Sequence, residues 1–298
     1  MGRSRPRPYA SGSPWVFRGD ALYQVQLVRS EVARPLIPKG LRLVEAFGYT
    51  LGGFFLARYD ESPSTSPGTT GRGEGDGGED HGGFHELVMM AGLVWNPPTS
   101  CAWAAKVFVD SPEAMAHGRA QCGLPSRLGG FSRGPPRLTD GKTKKSREVR
   151  SLELSDAETG KRVAGFDLPR ASGMFRRCFT SKREEEETSG KGLVVPKTRM
   201  LLPSFSGCTE HRSDMLRYGC DMHARVRPVA PCRVQLGPDD SDAQGYGGLL
   251  GGFPLVCLAF DDMEMSVDAP VVVAPDHARK GAILPLAEHL QTRGGAPA

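Results

Sequence analysis

Turn-forming residues recur so closely along this chain that long helices have little room. The 38 glycines and 24 prolines make up about a fifth of the 298 residues. Glycine supplies positive φ, and proline fixes φ while removing a donor, so both end regular elements. The pattern favours many short strands joined by turns over a helix bundle. Hydrophobic residues at 39% and charged residues at 24% belong to a chain that can fold around a core. A chain of this length buries roughly 75% of its unfolded surface, so it needs no disulfide or metal staple.

Tyr23, Val25 and Leu27 alternate with Gln24 and Gln26, the period of a half-buried strand. Ser30 is expected to cap a short helical turn that stops near Pro35. Pro38-Lys39-Gly40 then turns the chain into a strand from Leu41 to Ala46. Phe84 to Trp95 and Cys101 to Val109 have the composition of buried strands joined at Asn96-Pro97-Pro98. Ser111-Pro112-Glu113 opens a helix with a cap, a proline in the first turn and an acid at the positive end. Gly123 and Pro125 end it. Strands resume from Leu193, with Phe253 to Phe260 and Val271 to Val273 among them. Short strands, two short helices and no βαβ rhythm predict a mainly β (α+β) fold, a mainly antiparallel sheet curled into a barrel. The expected organisation is a flexible N-terminus over 1–13, one domain over 14–292 and a fraying tail over 293–298.

Residues 62–83 hold eight glycines, three serines, three threonines and two prolines, with no apolar side chain. Such a segment has nothing to bury, so a disordered insertion between two strands is expected. It contains no GxxxxGK[ST], which excludes a P-loop there. Residues 134–150 carry six Lys or Arg against two acids, but no aromatic side chain to stack on a base. A solvated loop is expected in place of a nucleic-acid site, and a second charged loop is expected over 181–189. No apolar run approaches the ~20 residues of a membrane-spanning helix, so no membrane span is predicted. The net charge of +4 selects no class of partner. Seven cysteines, with no CxxC and no signal peptide, point to reduced thiols. Arg3, Arg5, Arg7 and Arg18 all precede the first acid, Asp20, a weak transit-peptide feature, so a plastid is the alternative to the cytoplasm.

Cys208, His211, Cys220 and His223 have a zinc-like spacing. The last two, however, sit in a stretch where Cys220, Met222, Ala224 and Val226 alternate with polar residues. In a strand, positions three apart face opposite sides, so one ion cannot take both, and no metal site is expected. Glu86 lies in an otherwise apolar strand, where a carboxylate must be paired, edge-exposed or lining a cavity. It is the candidate acid or base, and His85 points to the other face. Arg119 and Arg127 flank Pro125 and suit a polar oxygen or a salt bridge. Ser126 lacks a G-x-S-x-G setting and an assignable histidine, so a serine hydrolase is not expected.

Gly118-Arg119, five residues, then Pro125-Ser126-Arg127-Leu128-Gly129 resembles the core motif of the acetoacetate decarboxylase-like family. That family shows Gly-Arg, five residues, then Pro-Lys-Lys-Leu-Gly. Phe84-His85-Glu86 resembles the family's strand with its active-site glutamate. Longer runs at 15–17, 21–24, 43–57, 94–105, 202–207 and 225–229 are similar to a narrower plant and algal branch, the neoxanthin-deficient family. The resemblance implies an acetoacetate decarboxylase-like barrel and a role in making neoxanthin, a xanthophyll on the route to abscisic acid, as an accessory or binding factor. It implies an apolar small molecule, carotenoid or lipid as ligand, a protein partner in xanthophyll synthesis, and no cofactor. Of the family's site, Glu86, Arg119, Ser126 and Arg127 are the positions to which binding carries over.

The chemistry departs from the decarboxylases. Their first motif lysine forms a Schiff base with the keto acid, with its pKa lowered by desolvation and an adjacent cation; acetoacetate decarboxylase is the standard example of this tuning. Here those positions are Ser126 and Arg127. Serine cannot form an imine, and arginine stays protonated. The family's second carboxylate falls near Leu51-Gly52-Gly53, where there is no acid. Keto-acid decarboxylation is therefore not expected. A small-molecule lyase or isomerase using Glu86 is the alternative, with Glu86 and Arg127 converging on one cavity supported by Trp95, Trp103 and Leu124.

Overall fold

The computed structural model describes residues 6–63, 83–97, 99–135, 137–138, 148–169, 196–237 and 246–273. Nearly all of the insertion expected at 62–83, the charged loop at 181–189 and the tail at 293–298 lie outside these residues. The strands are β1 (Trp15–Arg29), β2 (Arg42–Leu43), β3 (Tyr49–Tyr59), β4 (Phe84–Asn96), β5 (Thr99–Val109), β6 (Ser126–Arg133), β7 (Arg137–Leu138) and β8 (Glu148–Val149). They continue with β9 (Ser151–Asp156), β10 (Arg162–Asp167), β11 (Lys197–Gly207), β12 (Met215–Val229), β13 (Arg233–Leu236), β14 (Phe253–Val267) and β15 (Val271–Val272). Helices α1 (Ser30–Ala33), α2 (Pro112–Ala120) and α3 (Tyr246–Leu250) are short. None of the helices described is long and apolar enough to cross a membrane.

Seven strands pair in the order β5-β11-β12-β14-β1-β3-β4, and β4 pairs with β5 again, so the sheet returns on itself. Its pairings are antiparallel except where β5 meets β11, in parallel, at Ala102 and Trp103. Further along the same strand, Val107 to Val109 pair in parallel with Ser126 to Leu128 of β6. From β6 a second sheet continues through β9 and β10 to β13. The unit β5-α2-β6 is therefore a strand–helix–strand crossover, which the missing βαβ rhythm of the sequence did not predict. A single crossover produces no recurring pattern to read.

Alternation along the ring strands divides the core in two. On β3, Phe54 and Leu56 turn outward, and Ala57 and Tyr59 turn inward. The outward set packs against Leu152 and Leu154 of β9 and Phe166 of β10, with the rings of Phe54 and Phe166 5.4 Å apart. Full burial of each such side chain contributes about 1.5–3 kcal/mol. The inward set, which includes Trp15, Phe84, Met222, Phe260 and Met265, lines the inside of the ring. Trp103 belongs to the outward set.

Local signals hold at α2. Ser111 caps it, its hydroxyl accepting from the Ala114 amide at 3.1 Å, and Gly123 takes a positive φ of 62° after its end. The cap expected from Ser30 does not form. Arg29 holds the extended cap position, and Ser30 is already inside the first turn with its hydroxyl buried. The strand expected from Leu41 to Ala46 shortens to Arg42–Leu43, because the chain turns back through Phe47 and Gly48, both at positive φ, into β3.

Candidate functional site

The inside of the ring holds a cavity of about 300 Å³. Most of its wall is apolar, with Phe17, Phe55, Phe84, Val88, Leu124, Leu202 and Met265 among the lining. Glu86 reaches it because β4 alternates: Glu86 shares the inward face with Phe84 and Val88. Across the sheet Tyr59 pairs with Phe84, diagonal to Glu86, and its hydroxyl donates to Glu86 Oε2 at 2.8 Å. Burial raises the Glu86 pKa above the usual carboxylate range, and the Tyr59 hydrogen bond opposes this only in part. The same burial holds the Tyr59 phenol well above its ordinary value. His85 faces away, as expected, and its Nδ1 lies 2.7 Å from Asp110 Oδ2.

A second polar group enters from α2. Ala114, His117 and Gly118 are spaced i, i+3 and i+4, so they form one buried face over the ring. His117 is 4% exposed, and neither ring nitrogen has a hydrogen-bond partner among the described residues. Its ring stacks on Tyr9 at 4.3 Å and meets Trp15 edge-on at 4.4 Å. Burial lowers its pKa to about 4, so the imidazole is neutral at pH 7. The cavity cysteines are inert by the same physics: burial pushes Cys101 to about 11 and Cys122 and Cys220 to about 12.

The Gly-Arg motif has a local cause. A β-carbon on Gly118 would lie 2.6 Å from Ser126 Oγ, so only glycine lets α2 approach β6 this closely. Arg119 Nε then donates to the Ser126 carbonyl at 2.7 Å and ties helix to strand. Ser126 is 2% exposed and sits behind Gly118, which itself lines the cavity. Arg127, the next residue, turns to the opposite face. There it bonds Asp156 at 3.2 Å, Glu158 at 2.9 Å and the Tyr246 hydroxyl at 3.4 Å.

Glu86 and Arg127 therefore do not converge on one cavity. Adjacent positions of a strand cannot both face inward, and position 126 takes the inward side. Leu124 lines the cavity, but Trp95 and Trp103 do not. Cys220 lines it while His223, three positions on, is exposed on the outer face, as alternation requires. Lys106 is directed at the Tyr246 ring, 5.5 Å from its centroid, and is not among the lining residues. His117 and Tyr59 are the site residues that the sequence reading passed over. A histidine spaced with Ala114 and Gly118 on a capped helix, and a tyrosine in phase with Phe55 and Ala57, were the available signals.

No protein-family model matches the chain. It is 40% identical over 286 residues to Protein NEOXANTHIN-DEFICIENT 1 of Arabidopsis thaliana, covering 88% of this chain and 94% of that one. It is 41% identical over 297 residues to the protein of that name from Oryza sativa subsp. japonica, covering 91% and 92%. The Solanum lycopersicum protein is 39% identical over 289 residues, covering 87% and 92%. Among solved structures, acetoacetate decarboxylase superposes with a TM-score of 0.52 at 13% identity, over 88% of this chain and 90% of that one. The enduracididine biosynthesis enzyme MppR, complexed with pyruvate, gives 0.53 at 14%, over 89% and 92%. An acetoacetate decarboxylase-like enzyme from Sphingomonas wittichii gives 0.52 at 14%, over 88% and 94%. At these identities the solved structures establish the acetoacetate decarboxylase-like fold and nothing about activity.

Proposed function

This chain belongs to the NEOXANTHIN-DEFICIENT 1 family, and from that premise we propose that it supports neoxanthin formation as a binding factor without decarboxylating a keto acid. The ring cavity holds an apolar ligand, a xanthophyll or a related lipid. The observation that carries this reading is the cavity wall. It is largely apolar and includes no Lys or Arg among the described lining residues. Ser126, at the position of the family's imine-forming lysine, is buried behind Gly118. A keto acid would find neither an amine to condense with nor a cation to pair with its carboxylate. Glu86, Arg119, Ser126 and Arg127 divide accordingly. Glu86 meets the ligand, Ser126 and Arg119 hold the wall beside it, and Arg127 secures β6 from the outer face.

A second reading is favoured by one observation. Glu86, whose pKa burial raises, and His117, kept neutral, line the same cavity. Opening an epoxide into an allene needs an acid at the epoxide oxygen and a base at a nearby C–H, and this pair supplies one of each. Xanthophyll profiling of a line lacking the chain separates the two readings when combined with purified protein. Wild type should restore neoxanthin and Glu86→Gln should not, while purified protein mixed with violaxanthin in detergent yields none. Conversion by purified protein that disappears in Glu86→Gln would establish the lyase or isomerase reading instead.

A further inference from the structure

We infer that His117 is the polar anchor of the cavity, and that the ligand it holds is an uncharged apolar molecule ending in a ring that bears a hydroxyl group; this rests on the binding reading above. Both nitrogens of His117 are buried and lack partners among the described residues, and the ring faces a cavity. Contacts with Tyr9 and Trp15 on two sides fix its plane, so it cannot turn to find a partner elsewhere. A neutral imidazole presents one N–H donor and one bare nitrogen acceptor. A hydroxyl is a small group that can satisfy either role. Left unmade, a hydrogen bond at a buried polar atom carries a desolvation penalty, so the site gains most from a ligand that supplies one.

The rest of the wall sets the ligand's charge and size. With no Lys or Arg among the described lining residues, a carboxylate would be buried without a counterion, which is strongly unfavourable. Burial raises the Glu86 pKa, which disfavours the carboxylate anion that a cationic ligand would need. A volume of about 300 Å³ lies at the low end for small-molecule sites, roughly 300–1,000 Å³. It suits one ring end of a long molecule, not the whole of it.

Calorimetric titration with three probes of one ring skeleton tests this: 3-hydroxy-β-ionone, β-ionone and β-cyclogeranic acid. The hydroxylated ring should bind wild-type protein about tenfold tighter than the bare ring, the worth of one net hydrogen bond. The acid should not bind measurably. His117→Phe keeps an aromatic ring against Tyr9 and Trp15 and should abolish the preference; His117→Gln, which retains a donor and an acceptor, should keep part of it. Equal binding of the two neutral rings to wild type, a preference that survives in His117→Phe, or tightest binding of the acid would overturn the anchor while leaving the cavity a ligand site. Failure of all three probes to bind would remove the cavity reading and the inference with it. The comparison on wild type decides the matter even if a variant does not fold.

Discussion

Replacing His117 by phenylalanine should make the fold less sensitive to acid. In the folded protein burial lowers the His117 pKa from 6.5 to about 4. In the unfolded chain it titrates near its ordinary value, about 6.5. Between those two points the unfolded state binds more protons than the folded state, so stability falls as pH falls through that window. One pH unit corresponds to roughly 1.4 kcal/mol, so the full window is worth about 3 kcal/mol, and about 2–3 kcal/mol of it is lost by about pH 4.5. Phenylalanine preserves the ring contacts and removes the proton. The assay is urea unfolding of both proteins at about pH 7.5 and about pH 4.5. Asp20 and Glu86, whose raised pKa values act in the opposite sense, are common to both proteins and cancel in the comparison. Equal losses on acidification, within about 0.5 kcal/mol, would show that His117 is hydrated or paired and refute the reasoning.

Burial and the nearby Asp261, Asp60 and Asp262 raise the Asp20 pKa to about 6, although the Asp262 amide bonds its carboxylate. The folded state therefore takes up this proton before the unfolded chain does, and the charged form destabilises above about pH 6. Asp20→Asn, which keeps an acceptor, should stabilise by about 2 kcal/mol at about pH 8 and by little at about pH 4; a gain independent of pH would contradict this. Gly118→Ala should cost about 1–3 kcal/mol in thermal or chemical unfolding through its clash with Ser126, and adding Ser126→Gly should recover most of it. Incubation with acetoacetate followed by borohydride should leave the protein mass unchanged; an adduct abolished by mutating one particular lysine would show that an amine does reach the cavity.

The fold class was legible because strand alternation and turn residues leave direct marks in sequence. Tyr23, Val25 and Leu27, the Asn96-Pro97 turn and the Ser111 cap all fall where those marks placed them. Glu86 was legible as a carboxylate in an apolar strand, and its face followed from parity. The parallel pairing of β5 with β11 was not legible, since it depends on which strands become neighbours and not on either one's pattern. Parity could have separated Arg127 from Ser126, but the family motif drew both toward one site. His117 stayed hidden because a single histidine on a short helix looks like core until the cavity beside it is seen.

The ring also fixes the order in which the chain can become a protein. β1 is made first, yet one of its two partners is β14, where Leu22 meets Ala259. On the other side of the ring, β5 waits for β11, where Ala102 meets Ser204. Contacts so distant in sequence form slowly, because loop closure must precede any gain from them. During synthesis the wall that will enclose Glu86 and His117 stands open, with its apolar face toward water, until the residues of β14 emerge. A nascent chain stalled before Phe253 would have neither cavity nor closed edge, and exposed edges of this kind invite pairing with other chains. The pocket that defines this protein is thus among the last features to form.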